Sequence, residues 1–159
     1  MSLEEMLLRS ELRREKAVPG EIERMLRAVE RRLQDAEHAG IHPETRLEQA
    51  YHVILGCALI ALRSNELRLV NRPGHHIVAL DSLADTIGLS PARIDYFQTL
   101  RELRNKDLYT GGTHVSDAQA VEAVEGKPAG YFGISLTGSP NAAGATSSAL
   151  RRGADSDEE

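Results

Sequence analysis

The chain has 159 residues, of which 41% are apolar and 27% charged, and its formal net charge is −5, values typical of one soluble domain with a tail. Its single cysteine, Cys57, excludes an internal disulfide, and its longest apolar run, residues 53–62, is too short to cross a membrane. No signal-peptide segment is recognisable at the N terminus, so we expect a cytoplasmic protein without a membrane anchor.

The negative charge is concentrated towards the C terminus. Residues 46–106 carry eight Lys and Arg against six Asp and Glu, whereas residues 107–159 carry three against eight. The region 127–159 is also rich in Gly, Ala and Ser, which is typical of a flexible tail. The acidity of the whole chain therefore does not exclude a nucleic-acid partner for the folded part.

The first three predicted elements are helices. A Ser-x-x-Glu capping box at residues 2–5 precedes a helix over about 3–16. Apolar residues at spacings of three and four predict an amphipathic helix over about 22–40. The third helix, over about 44–68, is apolar on all sides around its central run, which predicts a position in the middle of a bundle.

Three further helices are predicted from start and stop signals. A fourth covers about 75–88 and ends at a glycine, a Ser-Pro pair starts a fifth over about 91–109, and a second capping box at 116–119 opens a short sixth. The sequence thus predicts an all-α helical bundle of about five to six helices over residues 1–126, followed by a flexible acidic tail over residues 127–159.

The fifth predicted helix places polar residues on its apolar side. At about 100° per residue, the core-facing side is defined by Ile94, Phe97, Leu100 and Leu108. Three polar residues fall on the same side, namely Arg101, Arg104 and Asn105. Burying such groups is costly unless they are paired or line a cleft that binds something.

Two interpretations account for these polar groups. In the first, the arginines extend past the end of the bundle into solvent or pair with a carboxylate of the bundle, and Asn105 caps a neighbouring turn. The carboxylates considered are Glu48, Asp81 and Asp85. In the second, the polar groups line a cleft at an interface, where guanidinium groups attract phosphate and the amide orients it.

Two adjacent histidines, His75 and His76, stand at the start of the fourth predicted helix. Neighbouring histidines at a helix start rarely bind one ion together, and no second Cys or paired carboxylate stands at ligand spacing. We therefore predict no metal site. A supporting role for His76 beside Arg104 is one interpretation, and simple packing at the helix entry is another.

A motif at the end of the fifth helix, Arg104-Asn-Lys-Asp-Leu-Tyr109, follows an apolar central helix and a Pro-Gly-His-His turn at 73–76. It overlaps the segment Tyr96-Phe-Gln-Thr-Leu-Arg-Glu-Leu-Arg-Asn. In these features, over about residues 45–125, the chain resembles the HEPN family of small helical-bundle proteins. The resemblance is to a bacterial branch with a Gly-His-His turn and a Tyr-Phe-x-x-Leu-Arg-x-x-Arg-Asn segment.

The resemblance implies a homodimer that places the Arg helix of each copy near the two-fold axis. It implies binding of RNA or a nucleotide, metal-independent endoribonuclease activity without a cofactor, and membership of a toxin–antitoxin or defence system. An antitoxin or nucleotidyltransferase is the implied partner. Carried over residue by residue, Arg104 and Tyr109 take the two catalytic positions. The residues predicted to bind RNA or nucleotide are Arg101, Asn105 and His76.

One catalytic position departs from the family pattern, because Tyr109 stands where the family has His. The reference pKa of Tyr is about 10 against about 6.5 for His, so an unperturbed phenol is a poor general base at neutral pH. The alternative function is therefore a non-catalytic HEPN-like interaction module, in which the polar cluster only orients the dimer.

Overall fold

The structure, a computed structural model, describes residues 1–111 and 115–125. The described part is mostly helical, so the predicted all-α class is confirmed. In chain order, the elements are α1 (Leu3–Leu8), β1 (Leu12–Arg14), α2 (Glu21–Glu37), α3 (Pro43–Ser64), β2 (Leu67–Leu69), α4 (His75–Asp81), α5 (Leu83–Ile87), α6 (Pro91–Thr110) and α7 (Asp117–Glu125). The tail predicted over 127–159 lies outside the described residues.

Helix α3 is the centre of the bundle, as its apolar circumference predicts. It packs against α2, α4, α5, α6 and α7. Tyr51 and Ile54 of α3 are fully buried in the largest core cluster, where they share the interior with Phe97 and Leu100 of α6. No helix in the described part of the chain is both long enough and apolar enough to span a lipid bilayer.

A two-stranded antiparallel sheet replaces the ends of two predicted helices. The helix predicted over 3–16 ends at Leu8, and the helix predicted to reach 68 ends at Ser64. Strand β1 pairs with β2, with Leu12 opposite Leu69. The pairing gives both segments backbone hydrogen-bond partners and buries Leu12 and Leu67 together in a second small core, which outweighs local helix propensity.

The other helix boundaries agree more closely with the sequence, with two corrections. The helix predicted over 75–88 is divided at Ser82 into α4 and α5, and the Ser82 hydroxyl donates to the carbonyl of Ala79 at 2.7 Å. Leu108, predicted on the core-facing side of α6, is 58% exposed. The reason is that the last turn of the helix extends beyond the packed part of the bundle, where residues 108–110 are all exposed.

A buried arginine joins α2, α3 and the sheet. The side chain of Arg63 is 4% exposed, and its Nε and Nη2 donate to the two carboxylate oxygens of Glu21 at 3.1 and 3.2 Å. Its Nη1 donates to the carbonyl oxygens of Glu15 and Leu67 at 2.6 and 3.1 Å. The burial of this charge is therefore compensated by four hydrogen bonds.

A glycine sets the close approach of α2 and α3. A β-carbon added at Gly56 would lie 2.6 Å from Cγ2 of the buried Val29. Because Val is stiff about χ1, it cannot easily move away. Overpacking costs about 1–3 kcal/mol, against about 1 kcal/mol gained by replacing Gly with Ala in a helix. We expect Gly56→Ala to lower the free energy of unfolding by about 1 kcal/mol, as measured by urea denaturation.

The matched control for this prediction is the double variant. Val29→Ala removes the atom that the added β-carbon would meet. The double variant should therefore lose less stability than the sum of the losses of the two single variants. Strict additivity, or a stabilising Gly56→Ala, would contradict close packing at this position.

Candidate functional site

A cavity of about 430 Å³ lies between α4, α6 and the loop that precedes α4. It is lined by Asn71, Arg72, Pro73, Gly74, His75, His76, Ile77, Arg101 and Asn105. Two guanidinium groups, two imidazoles and two amides are among these side chains, and none of the described lining residues is Asp or Glu. The cavity is therefore suited to an anionic ligand.

The loop is held in place by the N-terminal segment. Arg72 donates to the carboxylate of Glu11 at 2.8 Å and to the carbonyl oxygen of Arg9 at 3.2 Å. Gly74, with φ +82°, adopts the left-handed conformation that starts α4 directly at His75. The two histidines of the sequence motif consequently enter the cavity wall together, with ring centroids 4.5 Å apart.

A chain of side-chain hydrogen bonds positions Arg101. Its Nε donates to Oε1 of Gln98 at 2.9 Å, and the amide nitrogen of Gln98 donates to the Ile77 carbonyl and to Oδ1 of Asp81. The guanidinium is mostly buried, and its ion-pair partner is the exposed Glu102 at 3.5 Å. The charge of Arg101 is therefore fixed in the cavity wall without a buried carboxylate to neutralise it.

Arg104 has a different environment from Arg101. Its Nε and Nη2 donate to the two carboxylate oxygens of Glu48 at 2.7 and 2.8 Å, and its Nη1 donates to Oδ1 of Asn105 at 3.2 Å. The guanidinium also lies 5.6 Å from the ring centroid of Tyr51. This bidentate bond holds the pKa of Glu48 below its usual value.

The ion pair matches the first interpretation of the sequence for Arg104. Of the carboxylates considered there, Glu48 is the one that Arg104 contacts. Asp81 accepts instead from Gln98, and Asp85 accepts from the backbone N–H of Leu3 at the start of α1. Arg104 thus ties α6 to α3, and it does not line the cavity.

His76 is linked to the core through a buried phenol. Oη of Tyr51 and Nδ1 of His76 are 3.0 Å apart. Burial raises the pKa of Tyr51 to about 12, so the phenol stays protonated at neutral pH. Burial, and secondarily the neighbouring His75, lowers the pKa of His76, which favours the neutral imidazole.

The structure brings together part of the predicted site. Arg101, Asn105 and His76, the predicted binding residues, all line the cavity. The predicted catalytic residues do not, because Arg104 is bound to Glu48 and Tyr109 is 82% exposed on the last turn of α6. Sequence reasoning did not place Arg72 in the site, and the Pro-Gly-His-His turn directly after it was the available signal.

Metal ligation has no support in residues 1–111 and 115–125. In that part of the chain, no group of three or more His, Cys, Asp or Glu residues is arranged to hold an ion. Cys57 is buried in α3, where the pKa of its thiol is raised to about 12. It is a core residue rather than a ligand or nucleophile.

Comparisons with models of protein families, with curated proteins and with solved structures find no match to this chain. The ground for assigning a function is therefore the chemistry of the cavity and of the side chains that hold it in shape.

Proposed function

We propose that the chain binds the phosphate groups of RNA or of a nucleotide in the cavity between α4 and α6, and that it cleaves RNA without a metal ion. One observation carries this proposal. The cavity wall presents the guanidinium group of Arg101, that of Arg72, which is paired with Glu11, and the imidazoles of His75 and His76, and none of the described lining residues carries a carboxylate. Phosphate oxygens are the ligands that guanidinium groups prefer.

The charge of the cavity contrasts with that of the chain. The whole chain has a formal net charge of −5, so the cationic cavity is a local feature. Arg101 supplies its fixed charge, and the amide of Asn105 beside it offers a hydrogen-bond donor to a second phosphate oxygen. The volume of about 430 Å³ lies in the range of small-ligand sites and suits a single nucleotide unit.

The proposal includes the assembly that the HEPN resemblance implies. The chain would be a HEPN-like homodimer of a toxin–antitoxin or defence system in the cytoplasm, with an antitoxin or nucleotidyltransferase as its partner. Light-scattering measurement of the molecular mass tests the dimer directly, since a dimer has twice the mass of a monomer.

A second candidate function is the non-catalytic interaction module. It is favoured by the bidentate bond between Arg104 and Glu48, which occupies the motif arginine, and by the exposure of Tyr109. In this alternative, the polar residues of α6 stabilise the bundle and orient the dimer.

The binding proposal predicts a specific role for Arg101. We expect Arg101→Gln to weaken binding about 10- to 100-fold, because a charge-assisted hydrogen bond contributes about 1.5–3 kcal/mol. The measurement is fluorescence anisotropy with a labelled single-stranded RNA oligonucleotide at fixed salt. Titration calorimetry with an unlabelled nucleoside monophosphate distinguishes a preference for nucleotides from one for RNA.

The matched control is Arg31→Gln, which removes an exposed arginine on α2 that does not line the cavity. It should change the affinity by less than about threefold, through the general electrostatic field alone. Equal weakening by both variants would show that binding is not located in the cavity. Absence of binding to both probes by the unmodified chain would overturn the proposed function.

A further inference from the structure

The two imidazoles of the cavity differ in how their protons are placed. Nδ1 of His75 lies 2.6 Å from the carbonyl oxygen of Arg72. A carbonyl oxygen can only accept, so Nδ1 of His75 carries the hydrogen. In the neutral ring, the lone pair is therefore on Nε2, and this is the nitrogen that can accept a proton.

His76 lacks this constraint. Its Nδ1 is paired with the hydroxyl of Tyr51, which can either donate or accept. The bond therefore leaves both neutral tautomers of His76 available. Of the two histidines, His75 is the one that the structure holds in a single tautomer with an unprotonated Nε2.

The arginines and amides of the cavity cannot take this role, and His76 has an unprotonated Nε2 in only one of its two neutral tautomers. Guanidinium groups and amides, the other polar groups that line the cavity, do not act as bases at neutral pH. Tyr109, the residue at the position of the family histidine, does not line the cavity. The side chain of the cavity whose Nε2 is unprotonated whenever its ring is neutral is therefore His75, on geometry that is independent of the motif in α6.

We infer that Nε2 of His75 is the general base of the proposed RNA cleavage, an inference that rests on the proposed function. Nε2 takes the proton of the ribose 2′-hydroxyl while the 2′-oxygen forms a bond to phosphorus. The bond from phosphorus to the 5′-oxygen breaks, and the leaving oxygen takes a proton from solvent water. The imidazolium then returns its proton to the hydroxide formed, leaving a 2′,3′-cyclic phosphate and a 5′-hydroxyl.

The neighbouring groups are placed to assist this step. The guanidinium of Arg101 stabilises the additional negative charge on the phosphate oxygens during the attack. The hydrogen bond from His75 to the Arg72 carbonyl orients the ring. Arg72 is in turn fastened to Glu11, so the base is supported by an anchored loop.

The test separates binding from cleavage. His75→Asn keeps a side-chain N–H donor for the Arg72 carbonyl but removes the base, and His76→Asn is the matched control. Cleavage of a single-stranded RNA is followed in EDTA, with an oligonucleotide carrying a 2′-deoxyribose at the cleaved position as the inert substrate. We expect His75→Asn to slow cleavage, measured at saturating RNA, about 100-fold or more, which is a larger loss than any loss of RNA affinity, and His76→Asn to have the smaller effect on the cleavage rate.

Nitrogen NMR of the folded chain gives a readout that does not depend on activity. The ¹⁵N chemical shifts of the neutral His75 ring should show a protonated Nδ1 and an unprotonated Nε2. The opposite tautomer would overturn the inference even if His75→Asn failed to fold.

The remaining outcomes are distinct. Cleavage by His75→Asn at the unmodified rate overturns the role of His75 but leaves the proposed function standing. RNA binding without any cleavage by the unmodified chain overturns the role of His75 and the cleavage part of the proposed function, and leaves the binding part standing. Failure to bind RNA or nucleotide overturns the proposed function itself.

Discussion

Replacing Arg63 with Met is expected to lower the free energy of unfolding by about 3 kcal/mol. Met retains most of the volume but provides no donors, so the carbonyl oxygens of Glu15 and Leu67 lose a partner and Glu21 loses its bidentate bond. Removing one partner of a buried charged group typically costs 3–5 kcal/mol, and the remaining bonds of Glu21 to Arg68 and Val18 keep the effect at the lower end. Urea denaturation provides the measurement.

An exposed arginine serves as the matched control. Arg13→Met removes an ion pair with Glu15 in which the arginine side chain is 61% exposed, so we expect a change within about 0.5 kcal/mol. Similar losses for Arg63→Met and Arg13→Met would contradict a structural role for the buried network.

Acid titration checks the same network through Glu21. The hydrogen bond from Arg63, followed by the backbone N–H of Val18, lowers the pKa of Glu21 from 4.5 to about 2. The unfolded chain therefore binds a proton at this position at higher pH than the folded chain, and the stability that Glu21 contributes is lost as the pH falls from about 4.5 to about 2. In Arg63→Met, the pKa of Glu21 should rise, and this part of the acid dependence should become smaller.

The second large effect concerns Arg104. We expect Arg104→Met to cost about 2 kcal/mol of stability, because two charge-assisted hydrogen bonds to Glu48 are lost. RNA affinity should change less than threefold, in contrast to Arg101→Gln, because Arg104 does not line the cavity. The measurements are urea denaturation and the RNA anisotropy titration on the same preparations.

A double-mutant cycle assigns this loss to the ion pair. Glu48→Gln alone leaves the guanidinium with a weaker acceptor, and the double variant should lose less stability than the sum of the single variants. A large fall in RNA affinity with unchanged stability would place Arg104 in the binding site and contradict the structural role.

Sequence signals at the start or end of a helix predicted much of the fold. Pro43 starts α3, the Ser90-Pro91 pair starts α6, and Gly111 ends α6 with φ +63°. The small sheet was not predictable in this way. Its three-residue strands are too short to show alternation, and their stability depends on pairing between segments more than fifty residues apart.

In the candidate site, too, the pattern within one helix was predictable, whereas contacts between distant parts of the chain were not. Helical periodicity correctly placed Arg101, Arg104 and Asn105 on one side of α6, and all three are partly buried. It could not show that Arg104 meets Glu48, which lies 56 residues earlier, while Arg101 faces a cavity. Nor could a sequence pattern show which nitrogen of His75 carries the proton, since the Arg72 carbonyl sets it.

The fastening of the cavity loop to the N-terminal segment has a consequence for the order of folding. The bonds from Arg72 to Arg9 and Glu11 span 63 and 61 residues, so they have a far higher contact order than the bonds within the helices. Closing such long loops costs entropy that local contacts do not. Helix formation can therefore precede completion of the cavity rim, so that during refolding the circular dichroism signal of the helices would recover before the rim closes.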